Sequence, residues 1–383
     1  MPTDPPPERR RLVFHQIRTA AWETVPLPAA DQLGESEVLL RAACTLVSAG
    51  TETANYAGTH IDFQQPGRRQ PLPFRPGYAF TGTVVAAGSA AGLSPGDRVA
   101  ASAGHSDWAV IDTRNTPMVR LPDDVTFEQG CLARLALIAM QGVRLAHIDL
   151  GERVVVFGQG LIGQFARQLA QIGGAATAAG VDLIDARLEI ARRHGATHVI
   201  NPSREPLRET VRQSTDGHGA GVVIEATGNP AVINDALKVA AEMGRVILLG
   251  SPRGRVEIDP YTDIHHKGLT IIGAHARTTA KPPNAYNPWT MSEHYRLAVE
   301  LMRQGRLRTD GLVTHHVPAG DALTVHEALV ERPQDHLGVL IQWARIVDNP
   351  LDLRYKDLMA DKLSVREYAT WATKFINDSL DAK

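Results

Sequence analysis

Residues 154–163 read VVVFGQGLIG, four apolar residues that run directly into glycines spaced Gly-x-Gly-x-x-Gly. The apolar run predicts a buried strand, and the residues after the second glycine predict a helix. In that setting Gly158 permits a tight turn, Gly160 lets the backbone approach a pyrophosphate, and Gly163 allows close helix–strand packing. The amides at the start of the helix attract an anion. This stretch therefore predicts a dinucleotide site, and an ordinary glycine-rich turn is the alternative.

An acidic residue follows the next predicted strand, which spans residues 175–181. Asp182 lies 19 residues beyond Gly163. A carboxylate at this position accepts hydrogen bonds from the adenosine ribose hydroxyls and repels a 2′-phosphate. We therefore expect NAD rather than NADP, although Arg187 nearby could weaken that preference. The alternative interpretation of Asp182 is a turn residue at a strand end.

Two later loops follow apolar strands in the same way. Residues 225–229 read EATGN after strand 221–224, and residues 249–254 read LGSPRG after strand 245–249. The carboxyl ends of parallel strands line the cofactor crevice of a doubly wound sheet. Ordinary turn chemistry is the alternative for each loop. The residues expected to bind the cofactor are Gly158, Gly160, Leu161, Ile162, Gly163, Asp182, Arg187, Ala226, Thr227, Gly250, Ser251 and Arg253.

The pattern of elements changes along the chain. Short strands with frequent glycine and proline turns predict a partly open β-barrel over residues 11–122. Alternating strands and helices over 123–285 predict an α/β unit with a doubly wound parallel sheet. Residues 286–343 are expected to rejoin the first domain, and 344–383 to form a helical extension with one apolar face. Residues 1–10 are expected to be a disordered leader.

Composition excludes several classes of function. The 383 residues carry a formal net charge of -2, which argues against a nucleic-acid or membrane-surface partner. The two cysteines, Cys44 and Cys131, are fewer than a secreted disulfide framework would need, which favours a reducing compartment, and they exclude a four-cysteine zinc lobe. No stretch has the ~20 apolar residues of a membrane span, and no secretory signal is evident. A cytoplasmic protein is expected.

Three further motifs connect the chain to a known family. Residues 77–88 read GYAFTGTVVAAG, residues 95–99 read PGDRV and residues 244–250 read GRVILLG. With the glycine turn and the EATG segment, they make the chain resemble the medium-chain dehydrogenase/reductase (alcohol dehydrogenase-like) superfamily over about residues 12–343. The resemblance implies a GroES-like substrate domain, a Rossmann domain, oxidoreductase activity with a nicotinamide cofactor, and a homodimer or homotetramer.

The chain departs from this family at the catalytic zinc. Zinc-dependent members carry Cys-Gly-(Ser/Thr)-Asp where this chain has SAGTE at 48–52, and Gly-His-Glu where it has GYA at 77–79. Catalytic zinc needs about three protein ligands, and only Glu52 remains as a possible one at the matching positions. We therefore expect a zinc-lacking branch of the superfamily and no metal.

Without zinc, a side chain must exchange the proton that accompanies hydride transfer. His105 is the first candidate because the pKa range of histidine suits the task; a satisfied structural histidine is the alternative. Tyr78 stands where the family has a zinc-binding histidine, and it either donates to the substrate oxygen or fills the space. Glu52 either orients His105, binds a substrate hydroxyl, or makes a structural hydrogen bond. The residues expected to line the substrate pocket are Ser48, Thr51, Tyr56, Asp107, Trp108 and His275.

Four functions remain open at this stage. The first is a zinc-independent NAD-dependent dehydrogenase for a secondary alcohol or ketone, with a sugar or polyol as the small-molecule substrate. The second is a zinc-free enoyl or quinone reductase, against which Asp182 argues because such enzymes usually prefer NADPH. The third is a non-catalytic NAD-binding protein. The fourth is an enzyme that keeps NAD tightly bound during epimerisation or elimination.

Overall fold

The computed structural model describes residues 5–64, 72–280, 283–284 and 287–343. The chain divides after Trp343. The helical extension expected over 344–383 lies outside the described residues, as do residues 1–4 of the expected leader. Everything below concerns the body that ends at Trp343.

The strands of the described chain are short, as the turn-rich sequence predicts. They are β1 Glu8–Gln16, β2 Thr19–Pro26, β3 Glu37–Leu46, β4 Phe80–Ala87, β5 Arg98–Ala101, β6 Trp108–Asp112, β7 Met118–Arg120, β8 Arg153–Phe157, β9 Thr177–Val181, β10 Val199–Ile200, β11 Ala220–Glu225, β12 Ala240–Leu248, β13 Thr270–Gly273, β14 His315–Pro318 and β15 Val339–Gln342. The helices are α1 Ala49–Tyr56, α2 Ile61–Gln64, α3 Phe127–Leu145, α4 Leu161–Ile172, α5 Asp185–Arg193, α6 Leu207–Ser214, α7 Pro230–Val239, α8 Met291–Arg303 and α9 Val325–Glu331.

The prediction of a disordered leader over residues 1–10 is wrong for residues 8–10. Strand β1 starts at Glu8 and pairs antiparallel with β2 from Glu8↔Pro26 onward. The backbone of Arg10 also accepts a hydrogen bond from the backbone N–H of Asp107. Residues 8–10 are therefore part of the folded body, because the strand pairing outweighs their polar composition.

The nucleotide half contains a six-stranded parallel sheet in the order β10-β9-β8-β11-β12-β13. Numbered from β8, this is the 3-2-1-4-5-6 order of a Rossmann fold. After its first residue, Arg153, the central strand β8 is apolar, with Val154, Val155 and Val156 fully buried, as expected for a strand covered on both faces. The strand order reverses between β8 and β11, which lie parallel to each other, and this switch point is where such folds bind ligands.

The other half contains a mainly antiparallel seven-stranded sheet in the order β14-β15-β3-β4-β5-β7, with β6 also paired to β3. Strand β15, near the end of the body, pairs antiparallel with β3 near its start. The apolar interior of this half includes Val38, Leu40, Phe80 and Val99. This arrangement confirms the predicted fold class of a GroES-like domain with a Rossmann-like sheet.

Helix α3 connects the two halves. Thr126 and Gln129 form a capping box that starts the helix, with Gln129 N donating to Thr126 Oγ1 over 3.1 Å. Along its length α3 packs against β3 and β4 on one side and against α4 on the other. A side chain in the middle of α3 therefore sits where the two halves meet.

Among the described residues, no helix combines the length and the apolar character needed to cross a bilayer.

Candidate active site

A cavity of about 1210 Å³ lies between the two halves of the body. All twelve residues predicted to bind the cofactor line it, from the glycine turn after β8 to Arg253 after β12. It also reaches Ser48, Thr51 and Tyr78 of the substrate half. The cavity therefore joins the expected cofactor residues to the positions where the family carries zinc ligands.

The glycine turn has the geometry that its spacing predicts. Gly158 has φ +83°, in the left-handed region. A Cβ on Gly163 would lie 1.7 Å from the carbonyl oxygen of Gly158, so only glycine fits the contact between turn and helix. A Cβ on Gly160 would meet nothing within 4 Å, because the backbone there faces open space. Helix α4 starts directly afterwards, and its free amides suit a pyrophosphate.

Asp182 lines the cavity in a fixed orientation. Its Oδ2 accepts a hydrogen bond from the backbone N–H of Gln159 (2.7 Å), and its Oδ1 accepts one from Ile184 (2.9 Å). Arg187 approaches Asp182 only to 3.9 Å, and its Nη2 donates to the carbonyl groups of Pro333 and His336. The carboxylate thus keeps accepting capacity toward the cavity.

A buried acid shapes the loop after β11. Glu225 is fully buried and accepts hydrogen bonds from the backbone N–H groups of Thr227 (2.7 Å) and Gly228 (3.2 Å). Burial raises the pKa of Glu225, and these hydrogen bonds oppose the rise. Glu225 thereby holds Ala226 and Thr227 at the cavity wall.

Arg253 reaches across the cavity between the two halves. Its Nη2 donates to the carbonyl of Gly50 at the start of α1. Burial lowers the pKa of Arg253, and its Nε–H has no partner among the described residues. The side chain links the loop after β12 to the substrate half, at the place where a dinucleotide would lie.

Ser48 and Tyr78 form a hydroxyl pair at the substrate end of the cavity. The Oγ of Ser48 is hydrogen-bonded to the Oη of Tyr78. Burial raises the pKa of Tyr78, while the hydrogen bond with Ser48 and the charge of Arg134 act in the opposite direction. Tyr78 is thus a neutral phenol at pH 7, one that can donate a proton to a substrate oxygen.

The structure places His105 and Glu52 behind the cavity wall rather than on it. Glu52 is fully buried, and its Oε1 accepts a hydrogen bond from the backbone N–H of Ser48 (2.9 Å). Its Oε2 lies 2.9 Å from Nε2 of His105 and 2.8 Å from Nε2 of His326. The Nδ1 of His105 is 2.7 Å from Oγ1 of Thr45. Because both ring nitrogens are engaged and the side chain does not line the cavity, the geometry does not support His105 as the proton-transfer group.

We call Glu52, His105 and His326 the buried triad. Burial alone would raise the pKa of Glu52, but the charges and hydrogen bonds of the two histidines outweigh it and hold that pKa below its usual range. Ser48 links the triad to the cavity: its amide donates to Glu52, and its hydroxyl is hydrogen-bonded to Tyr78. Of the roles considered for Glu52, the contacts support orienting His105 and making a structural hydrogen bond, to the amide of Ser48; binding a substrate hydroxyl is not supported, because Glu52 does not line the cavity.

The residues at the family's zinc positions do not fit a catalytic zinc ion. The matching positions, 48–52 and 77–79, offer hydroxyl groups and one carboxylate, that of Glu52, but no thiol or imidazole. Within the described ranges, the buried triad is the one group with metal-ligand chemistry, its ligand atoms lying within 4.8 Å of one another. Its carboxylate oxygens already accept three hydrogen bonds, and no member faces the cavity. An ion there would have no open position toward a substrate.

Three of the expected pocket residues lie elsewhere. Tyr56 is buried and donates from its hydroxyl to the carbonyl of Arg18 (3.0 Å). Asp107 accepts a hydrogen bond from the backbone N–H of Arg10 (2.8 Å), so it faces β1. Trp108 packs into an apolar cluster with Leu27 and Leu39. The pairing of β6 with β3 turns the segment that contains Asp107 and Trp108 away from the cavity. The other three predicted residues, Ser48, Thr51 and His275, do line the cavity.

Sequence reasoning missed two functional candidates. Arg134 lines the cavity from the middle of α3. An arginine within the apolar run CLARLALIAM (131–140) is a signal that could have identified it, since such a residue is seldom buried without a partner. His326 completes the buried triad from 274 residues away, and no local pattern marks it.

Comparison with known proteins gives matches across both halves. Residues 34–146 match the alcohol dehydrogenase GroES-like domain, and residues 162–290 match the zinc-binding dehydrogenase family. The chain is 30% identical over 227 residues to D-xylulose reductase of Saccharomyces cerevisiae, covering 58% of this chain and 60% of that enzyme. It is 28% identical over 297 residues to D-guloside 3-dehydrogenase of Escherichia coli K12. This match covers 73% of this chain and 84% of that enzyme.

Solved structures share the fold. A Sinorhizobium meliloti protein described as a zinc-binding dehydrogenase and bound to NADP superposes with a TM-score of 0.70 at 20% identity, covering 88% of this chain and 99% of that one. The two domain matches together span more than half of the sequence. With a Rossmann sheet, a GroES-like sheet and a glycine turn opening into the cavity between them, the chain belongs to the medium-chain dehydrogenase/reductase superfamily of oxidoreductases.

Proposed function

We propose that this protein interconverts a secondary alcohol and a ketone by zinc-independent hydride transfer with NAD, acting on a polyol or sugar-like substrate. One observation carries the proposal. The cavity lined by the glycine turn continues to a Tyr78–Ser48 hydroxyl pair at the positions where the family places zinc ligands. The relatives' names add support, because both relatives above act on sugar derivatives.

The proposed chemistry divides between cofactor and chain. Bound NAD supplies the hydride acceptor in oxidation and the donor in reduction. The hydroxyl of Tyr78 gives a proton to the carbonyl oxygen in reduction and takes one from the alcohol in oxidation. Ser48 and Tyr78 share a hydrogen bond in which either hydroxyl can donate, and this bond fixes the Tyr78 hydroxyl in the cavity. A secondary alcohol thus loses a hydride from carbon and a proton from oxygen, and the ketone remains.

The raised pKa of Tyr78 sets the direction of the pH dependence. Reduction needs the protonated phenol, which is the dominant form throughout the neutral range. Oxidation needs the phenolate, whose population increases with pH. Oxidation should therefore accelerate as pH rises from 7 to 10, while reduction stays level over the same interval and declines only at higher pH.

NAD rather than NADP is proposed from Asp182. Its carboxylate faces the cavity at the end of β9, where it would accept hydrogen bonds from ribose hydroxyls and repel a 2′-phosphate. Arg187, the neighbouring cation, already donates to two carbonyl groups of the chain, which reduces its availability to a phosphate. Fluorescence titration of the purified protein with NADH and NADPH tests this preference directly.

The test of the proposal has two parts. Metal analysis of the purified protein should find no stoichiometric zinc, and turnover should persist after dialysis against EDTA. Tyr78→Phe should lower kcat for a panel of polyols and ketoses, D-xylulose included, by about 10²- to 10⁴-fold. Its affinity for NADH should stay unchanged, and the pH dependence of oxidation should disappear.

Tyr56→Phe is the matched control. It removes a buried tyrosine hydroxyl that lies outside the cavity, so kcat should change little. Stoichiometric zinc with activity lost on chelation would overturn the proposal. So would a Tyr78→Phe variant with wild-type kcat and pH dependence.

A further inference from the structure

Arg134 is held at the substrate end of the cavity with its position fixed by the protein. Its Nε donates to Oγ of Ser102 over 2.9 Å. Its guanidinium carbon lies 4.7 Å from the centre of the Tyr78 ring, stacked over the proposed proton-transfer group. Because α3 packs between the two halves, the side chain is anchored from the helix rather than from a loop.

The guanidinium is nevertheless incompletely satisfied. Arg134 is 8% exposed as a whole residue, and its Nη1–H group is buried without a hydrogen-bond partner among the described residues. Across the described ranges, no carboxylate forms an ion pair with Arg134, and the two acids of the cavity wall, Asp182 and Asp235, are not its partners. A buried cation without a counter-charge is costly, and a planar guanidinium is well suited to bind carboxylate or phosphate.

The phosphates of the cofactor do not account for this cation. The pyrophosphate is expected at the glycine turn and the start of α4. Arg134 instead belongs to the substrate end, where it contacts Ser102 and Tyr78. A molecule bound beside Tyr78 is therefore the candidate partner for its free N–H.

We propose that Arg134 recognises an oxyanion on the substrate, a carboxylate or a phosphate monoester, next to the carbon that exchanges the hydride. This inference rests on the proposed function and narrows its substrate class from polyols and sugars in general to acidic ones. The stacked position over Tyr78 would bring the anion and the reacting oxygen into the same part of the cavity.

The experiment measures kcat/KM of the wild-type protein and of the Arg134→Met variant on three series of compounds. Each series contains a C3–C6 polyol, its terminal carboxylate and its terminal phosphate. For wild type we expect higher kcat/KM with an acidic member than with the neutral one. Arg134→Met should lower kcat/KM for the acidic member by roughly 10- to 100-fold, the worth of a hydrogen bond between charged groups. Its kcat/KM for the neutral member should change far less, and its NADH affinity should stay the same.

A control and a second readout keep the outcomes distinct. Arg144→Met removes another stacked arginine of the same helix, over Trp289 and outside the cavity, so the preference for acidic compounds should survive. Thermal shift of the NADH-loaded protein measures binding without turnover, and acidic compounds should raise Tm in wild type and not in Arg134→Met. Carboxylate and phosphate are scored separately to identify which oxyanion is preferred.

Several results would overturn the inference. These are a wild-type preference for neutral compounds, an equal loss for neutral and acidic members in Arg134→Met, and weaker NADH binding in that variant. The second outcome would show that Arg134 acts through Tyr78 alone, and the third would assign it to the cofactor. If neutral alcohols are turned over without any acidic preference, this inference fails and the proposed function stands. If nothing is turned over although NADH binds, the proposed function fails with it.

Discussion

Replacing Glu52 by glutamine tests the buried triad most directly. The carboxylate accepts from three donors, the amide of Ser48 and, with Nε2 protonated, the rings of His105 and His326. A glutamine amide has one oxygen and one NH2 group, so while both Nε2 atoms stay protonated it points a donor at a donor in either orientation. With its oxygen toward the histidines it leaves the amide of Ser48 unmet. In the opposite orientation both histidines lose their acceptor.

The expected cost follows from these contacts. One unsatisfied buried donor costs about 1–3 kcal/mol, and breaking a buried charged contact costs about 3–5 kcal/mol. We therefore expect Glu52→Gln to lower the free energy of unfolding by about 2–5 kcal/mol at pH 7. Urea denaturation followed by circular dichroism measures it. Glu300→Gln, which removes a surface carboxylate paired with Arg303, should lower the free energy of unfolding far less, because an exposed ion pair contributes little.

Acid should reduce the difference between Glu52→Gln and wild type. The folded-state pKa of Glu52 is depressed, so its contribution is fully present above the unfolded value near ~4.3 and is lost as pH falls toward the folded value. The difference in unfolding free energy between wild type and Glu52→Gln should thus be widest at pH 6–7 and narrow below about pH 4.

EDTA should leave the midpoint of wild-type urea denaturation unchanged, because hydrogen bonds hold the triad. A Glu52→Gln variant as stable as Glu300→Gln at pH 7 would refute this reasoning.

Two further predictions concern the nucleotide half. Asp182→Ala should shift the ratio of NADH to NADPH affinities by roughly 10-fold toward NADPH, measured by fluorescence titration, because a repulsive carboxylate is removed; an unchanged ratio would contradict the role given to Asp182. Gly163→Ala should abolish detectable NADH binding, since its Cβ would lie 1.7 Å from a backbone oxygen. Gly320→Ala, where a Cβ meets nothing within 4 Å, is its control, and equal binding by the two variants would count against the close contact.

The nucleotide half was predictable because its information is local. The glycine turn and the strand before it specify a backbone path within ten residues, and helix α4 spans Leu161–Ile172 as the apolar pattern predicts. Asp182 follows from the spacing of one βαβ unit. In the structure these residues line the cavity together.

The substrate half was harder to predict because its contacts are distant in sequence. His105 was chosen for its chemistry, but the loop that carries it is held by strand β1, whose Leu12 donates to the carbonyl of His105 (2.9 Å). Its side chain therefore points inward to Glu52 instead of toward the cavity. Tyr78 was given two possible roles, and only the position of Ser48 beside it favours proton transfer.

The pairing of β15 with β3 has a consequence for biosynthesis. The nucleotide half is one uninterrupted stretch of chain and can form as it leaves the ribosome. Residues 44–46 of β3, however, meet their partners only when residues 340–342 have been made. Until then the nascent protein presents an open strand edge to its surroundings, the kind of edge that templates aggregation. Chaperone dependence during synthesis should thus arise from the amino-terminal part of the protein, although that part is translated first.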